Sequence, residues 1–375
     1  MSEVFNLEKL YAAYLDCRKG KRKTVNSLAF EWNLERNLFS LLKDLKGEKY
    51  KPGRSICFVV KEPTPREIFA ATFKDRIVHH LLVREIEYIG EKKFIFSVFS
   101  CRKGKGTHMA VRKLKEGIRK ESENYRKKIY YAQLDIEGFF MSINHDILYS
   151  LLKDMIIKRK DRSFKWKNDI LWLAKTVISH KPTENYTIKG NPSLLSLIPE
   201  RKSLFRTRKK KGLPIGNYSS QFFANLYLNK IDHFTKRKLG IRHYFRYVDD
   251  IVILEKEEGK IENFVEIIEK YLRENLDVKI SWKKTKIRPA SRGIDFLGYF
   301  IKPEYVLIRK RVVKNLKLKI WNKKKGVENI FSLINSYFAH FLHGNSFNLR
   351  KNIYDKNLKK IGKNKKELLY YQLKI

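Results

Sequence analysis

Asp249 and Asp250 stand side by side in RYVDDIVIL (246–254), inside a run of apolar and β-branched residues. Such a run reads as a buried strand, and a buried charge costs several kcal/mol unless it is paired or holds a metal. A third carboxylate, Asp135, closes another strand pattern, KIYYAQLDI (128–136). Carboxylates at strand ends and a hairpin tip can converge on one face of a sheet and offer oxygen ligands suited to Mg²⁺. Two such ions stabilise the attacking and leaving oxygens of an in-line phosphoryl displacement. Taken alone, the Asp pair could be a simple hairpin turn, where Asp is common; Asp135 favours the metal site. A second constellation, GLPIGNYSSQFFANLYLNKID (212–232), sets a Gly-Pro-Gly loop before a helix. Small residues there let a backbone approach a ligand; the plainer alternative is a helix N-terminus with a Ser cap.

These carboxylates need a sheet to hold them. HYFRYVDDIVIL reads as a hairpin with the Asp pair between its strands. From Arg54, ICFVVKEP reads as a strand stopped by Pro63 and Pro65, and further strands are expected near Val278 and Phe296. Helical spacing marks Leu7, Leu10, Tyr11 and Tyr14, then a second helix from about Val25 to Leu45. Other helices are expected over 75–89, from a Thr107 cap to about Lys120, over 169–178, over 219–240 between a Ser start and a Gly240 stop, and near 260–274. Beyond Glu304 the pattern is helical and basic, with 18 Lys or Arg against 4 Asp or Glu in residues 304–375.

The chain of 375 residues is 43% hydrophobic and 13% aromatic, enough for a sizeable core and two or three subdomains, which excludes a disordered chain. Its 82 Lys plus Arg against 40 Asp plus Glu give a net charge of +42, far beyond what solubility needs. That excess predicts a polyanionic partner, nucleic acid or an anionic membrane. No apolar run approaches membrane-spanning length, so nucleic acid leads and no membrane partner is expected. Cys17, Cys57 and Cys101 have neither metal-ligand spacing nor the number for a disulfide framework. MSEVFNLEKL lacks the basic-then-apolar plan of a signal peptide, so a cytoplasmic location is expected. His79-His80 and His340…His343 are ligand types, but no matching Cys or His stands elsewhere at metal-site spacing, and a core or surface role is expected. CRKGKGTH (101–108) departs from the Walker sequence and reads as a basic loop, touching nucleic-acid phosphate or simply solvated.

In chain order, LDIEGFFMSI (134–143), LPIGNYSSQFFANLYLN (213–229), RYVDDIVIL, WKKTK (282–286) and FLGYFI (296–301) resemble the successive motifs of reverse transcriptases. Upstream, VVKEPTPREIFAATFKDRIVHH (59–80) resembles the fingers motifs of bacterial members, and the resemblance covers about residues 54–303. Most reverse transcriptases carry a Gln before the loop glycine and a later Ser-Pro; this chain has Ile215-Gly216-Asn217 and Ser220-Gln221. That form is similar to the reverse transcriptases of diversity-generating retroelements. So are CRKGKGTHMAV (101–111), PASRGIDFLGY (289–299) and SYFAHFLHGNS (336–346). That family copies a template-repeat RNA into cDNA with frequent errors opposite adenines, for targeted gene diversification, and a small basic accessory protein participates.

The resemblance implies an α+β right-hand polymerase. Its parts would be an N-terminal helical extension (1–53), fingers (54–128), a palm of antiparallel sheet and helices (129–303, with a helical and irregular insertion at 155–211) and a basic helical thumb (304–375). It implies an RNA-directed DNA polymerase that takes dNTPs, template RNA and a cDNA primer, with two Mg²⁺ ions or Mn²⁺ as a substitute. Asp135 and Asp249 would bind both metals, Asp250 would assist, and the Ile136 carbonyl would complete the shell. Phe140 would be the gate that excludes a ribose 2′-OH, with Phe139 beside it in the core. Arg66 and Lys61 would hold the triphosphate, unless they belong to a solvated face, and Ile215 and Gly216 would complete the dNTP site. One of Lys284 and Lys286 would contact the triphosphate or protonate pyrophosphate, and Leu297, Gly298 and Tyr299 would lie at the primer grip. The rivals are a reverse transcriptase of another bacterial class (group II intron, retron or phage defence) and a catalytically silent RNA-binding protein on the same fold. The intact aspartates speak against the silent protein, and a chain ending just after the thumb speaks against the intron enzyme.

Overall fold

The computed structural model describes residues 3–62, 64–322 and 327–357. It begins with α1 (Leu7–Arg18), α2 (Val25–Glu31) and α3 (Leu34–Lys46). In α1, Leu10 and Tyr14 are buried while Leu7 and Tyr11 lie on the exposed side. The single helix expected over 25–45 is two. Asn33 leaves the helical region at φ −125°, and the Asn37 side chain donates to the Phe30 carbonyl (2.9 Å). α1 and α2 pack on the long α4 (Phe73–Lys93), and α3 packs on α1 and α2.

β1 (Ser55–Val60) and β2 (Arg66–Ala70) form an antiparallel hairpin, and β4 (Tyr186–Ile188) joins the free edge of β1 in parallel. β2 was not expected: the sequence after Pro65 returns to the sheet instead of ending it.

The central sheet has the order β5–β6–β3–β7, from β3 (Tyr130–Asp135), β5 (His243–Tyr247), β6 (Asp250–Glu255) and β7 (Lys286–Pro289), all antiparallel neighbours. One face carries Ala132, Leu134, Tyr244, Ile251 and Ile253 into a core shared with α9 (Tyr218–His233) and α10 (Glu258–Leu276). The other carries Tyr131, Phe245, Val252 and Leu254 onto α5 (Thr107–Glu121). A sheet covered on both faces needs apolar residues at consecutive positions, not alternate ones, which explains the unbroken run in RYVDDIVIL. A strand expected near Val278 is only an isolated bridge, Ile280 to Ile136; the ordered edge strand is β7.

Two expected caps are differently made. Gly106, not Thr107, is the α5 N-cap, and the Thr107 hydroxyl bonds to the Tyr247 hydroxyl (3.3 Å). Asn217 precedes α9, where Ser220 donates back to the Pro214 carbonyl (2.8 Å). After α9 a π-helical turn (Phe234–Lys238) leads to Gly240 at φ +66°.

The segment 155–211 contains the end of α7 (His145–Ile157), α8 (Phe164–Ser179), β4 and three short 3₁₀ turns. The last sheet is β8 (Ile294–Phe296), β9 (Tyr299–Ile301) and β10 (Val306–Ile308), followed by α11 (Lys310–Asn322), α12 (Val327–Phe341) and α13 (Phe347–Asn357). Helix was expected directly after Glu304. Instead β10 pairs with β9, so the sheet runs across the expected palm–thumb boundary. The rest of the basic tail, from 358, lies outside the described residues.

Candidate active site

The register of β3 and β6 sets Asp135 opposite Asp250, and Asp249 occupies the β5–β6 turn. That turn is held under tension. Val248 sits at φ +55°, a strained setting for a β-branched residue. Its N–H donates to Ser100 Oγ (2.9 Å), and its carbonyl accepts from Arg246 Nη1 (2.9 Å). Arg246 is the anchor. Its fully buried guanidinium makes two bonds to Asp232 of α9 (2.7 and 2.6 Å), and Tyr244 donates to the same carboxylate (2.6 Å). The sequence reading passed over this Arg, although a charge within an apolar strand is the same anomaly that drew attention to the aspartates.

Burial raises the Asp249 carboxyl above its usual range, and Asp135 adds to this; Arg66 and Lys284 pull it down. Burial, then Asp249 and Asp135, push Asp250 up to about 7. A turn over Ser281–Thr285 brings Lys284 Nζ to 2.5 Å from Asp135 Oδ2, while the Ser281 N–H donates to the Asp135 carbonyl (2.7 Å). Lys286 instead pairs with Gln133 as the first residue of β7, so the geometry separates the two lysines.

A cleft of about 410 Å³ brings together Arg66, Asp135, Ile136, Phe140, Ile215, Asp249 and Lys284. Its volume falls in the range of small-molecule sites. Phe140 is half-buried at its wall, whereas Phe139 is buried and packs against Tyr227. Asp250, Lys61, Gly216 and Lys286 do not line it. Gly216 has a different task. At φ +124°, a side chain there would meet Ile68 at 2.8 Å, and neighbouring Ile215 accepts from the Phe69 N–H (3.0 Å), so the loop lies flat on β2. Lys202, Arg309 and Arg311 also line the cleft and were not foreseen.

Leu297 and Gly298 form the β8–β9 turn with φ of +51° and +89°. Tyr299, the third residue expected at the primer grip, follows as the first residue of β9. Its ring is fully buried, and its hydroxyl donates to the His340 carbonyl (2.8 Å), tying the small sheet to α12. His340 and His343 do have a histidine partner: His108 stacks on His343 with ring centroids 3.5 Å apart. Spacing along the chain could not show it. His79 lies 2.7 Å from Ser219 Oγ, and His80 stacks on Tyr218.

Among the described residues no three His, Cys, Asp or Glu side chains close into a ready metal cage. Asp135 is engaged by Lys284 instead. The donor set nonetheless fits a hard divalent cation: clustered buried carboxylates disfavour their own ionised forms until a cation joins them. Mg²⁺ in particular takes one or two carboxylates and completes its shell with water and substrate phosphates.

The chain belongs to the reverse transcriptase (RNA-dependent DNA polymerase) family, whose model matches residues 59–301. Its fold is of the α+β class, and the family to which it belongs uses divalent metal ions. It is 25% identical to the "Uncharacterized 91 kDa protein in cob intron" of Schizosaccharomyces pombe, over 64% of this chain and 25% of that protein. It is 22% identical to the YkfC protein of Escherichia coli, over 76% and 75%. Telomerase from Candida albicans in complex with a telomeric RNA fragment aligns with TM-score 0.49 and 12% identity, over 89% of this chain and 60% of that one. The chain therefore spans about a quarter of the first relative's length. Among the described residues no helix is long and apolar enough to cross a membrane.

Proposed function

We propose that the cleft is the dNTP site of a polymerase, with Asp135 and Asp249 in its wall as catalytic carboxylates and Asp250, opposite Asp135 in the sheet, assisting them. The observation that carries this is the meeting of Asp135 and Asp249 with the cations Arg66 and Lys284 in one cleft. Two Mg²⁺ ions held by the aspartates and the Ile136 carbonyl would supply Lewis-acid stabilisation to the displacement of pyrophosphate by a primer 3′-oxygen. Arg66 orients the triphosphate. Lys284 leaves Asp135 for the phosphates and offers a proton to the departing pyrophosphate. The Phe140 ring closes the space of a ribose 2′-OH. Lys61, from outside the cleft lining, would join Arg66 on the triphosphate. Residues 54–128 act as fingers, 129–303 as palm and the basic segment after it as thumb on template RNA and cDNA, with 1–53 as a helical extension.

We further infer that this polymerase serves a diversity-generating retroelement in the cytoplasm, with a small basic accessory protein. Ile215 supports it: the position before the loop glycine, Gln in most of the family, here places an aliphatic side chain in the cleft wall. The test is single-nucleotide extension on RNA templates bearing A, C, G or U at the coding position. Misincorporation concentrated opposite A is expected; equal accuracy at all four contradicts the reading. A second reading, an intron-associated enzyme, is favoured by the fission-yeast relative, a protein in cob intron. Activity enhanced by a structured intron RNA, without adenine-selective errors, would establish it.

A further inference from the structure

Lys202 belongs to none of the motifs above. It ends a short 3₁₀ turn (Glu200–Lys202) in the 155–211 segment, yet it lines the cleft beside Arg66, Asp135 and Lys284. The turn is built into place. Glu67, next to Arg66 on β2 and only 1% exposed, accepts from Ser203 Oγ (3.0 Å) and from the Leu204 N–H. Arg201 pairs with Glu137, two residues beyond Asp135 (3.1 Å). The Arg201 carbonyl occupies the space a side chain at Gly138 would need, and Gly138 itself sits at φ +54°. Both the β2 strand and the loop after Asp135 therefore hold this turn.

Among the described residues the Lys202 ammonium of this turn has no ion-pair partner, whereas Arg201 and Lys284 each have a carboxylate. Burial lowers its pKa, and Lys284 and Arg66 lower it further, against the pull of Asp135. Three cations from three separate segments crowd one cleft, at a repulsive cost that a polyanion would relieve. We infer that Lys202 is a further triphosphate-binding residue, delivered by the 155–211 segment to the phosphates of the incoming dNTP opposite Arg66. This rests on the reading of the cleft as the dNTP site.

The experiment is single-nucleotide incorporation on a preformed primer–RNA template, over a range of dNTP concentrations. It compares wild type, Lys202→Ala, Lys202→Gln, Lys202→Arg and Asp249→Asn, with template affinity measured by fluorescence anisotropy. Lys202→Ala is expected to raise the half-saturating dNTP concentration about tenfold or more, the usual effect of losing a charge-assisted bond. Inhibition by added pyrophosphate should weaken in parallel, and template affinity should hold. Lys202→Arg should restore most of the loss, and Lys202→Gln, which keeps the stem, should behave like Ala even if the Ala variant folds poorly. Unchanged dNTP dependence in an active Lys202→Ala or Lys202→Gln enzyme overturns the assignment, as does a loss confined to template affinity. Those outcomes leave the active-site reading standing if Asp249→Asn is inert. A fully active Asp249→Asn would instead remove that reading, and the Lys202 assignment with it.

Discussion

Lys284 Nζ lies 2.5 Å from Asp135 Oδ2, so the ammonium occupies the place a divalent cation would take on that carboxylate. Ammonium and metal compete for one ligand. Lys284→Ala is predicted to lower the metal concentration that supports half-maximal incorporation, because Asp135 is freed. The same change should slow the maximal rate, by about 10²-fold if the lysine is the general acid. A metal titration of both proteins checks this. An unchanged metal requirement and rate would show that the pair is a surface contact without function.

The buried pair Arg246–Asp232, both side chains 0% exposed, fixes the aspartate hairpin to α9. Arg246→Met leaves a carboxylate buried without its guanidinium and should cost about 3–5 kcal/mol. Combining it with Asp232→Leu should recover most of that loss, since both charges then disappear. Chemical denaturation of the two single variants and the double variant measures it. A loss in the double variant equal to the sum of the two single losses would mean the pair is not coupled.

Much of this site was legible in the sequence, for local reasons. The Asp pair interrupts a strand-forming run, and Asp135 ends another, so a sheet bearing carboxylates follows from pattern alone. What was not legible depends on contacts distant in sequence. The partner of Arg246 lies on a helix, and the strand pattern around it says only that a charge is out of place. His108 meets His343 only because α5 and the segment after α12 are brought together in the fold. Lys284 and Lys286 could not be told apart until β7 was seen to begin at Lys286, which leaves Lys284 in the turn before it. Thr107 and Ser219 are good caps by type, but Gly106 and Asn217 take those positions. β2 was missed because five residues behind two prolines carry little periodicity.

Phe140 at the cleft wall and Phe139 in the core give a paired test of sugar choice. Phe140→Ala should admit rNTPs and raise the ratio of ATP to dATP incorporation, since the discrimination rests on a clash. Phe139→Ala should destabilise the fold by about 3–5 kcal/mol without changing that ratio. Parallel extension with dATP and ATP, with thermal unfolding, checks both. A changed ratio in Phe139→Ala alone would move the gate by one residue.

His79 predicts an acid-side loss of stability. Burial holds its imidazole at about 4 against 6.5 for the free side chain, with Asp75 pulling the other way. Between those values the unfolded chain binds the proton and the folded protein does not, so stability rises with pH across the window. The contribution is complete above pH 6.5 and is lost as pH falls toward 4, at about 1.4 kcal/mol per unit. His79→Gln should flatten the dependence of unfolding free energy on pH between 6.5 and 4.5. A slope identical to wild type would place the acid sensitivity elsewhere.

The central claim is that Asp135 and Asp249 carry the chemistry while the basic surface carries the affinity. Its most direct test is dNTP incorporation on a primed RNA template by Asp135→Asn and Asp249→Asn, with RNA affinity measured on the same preparations. Each change removes a charge a metal needs but keeps the side chain's shape, and affinity for RNA comes from the many Lys and Arg. Both variants should bind RNA nearly as wild type does and incorporate no dNTP. Full-length cDNA from either one would contradict the account.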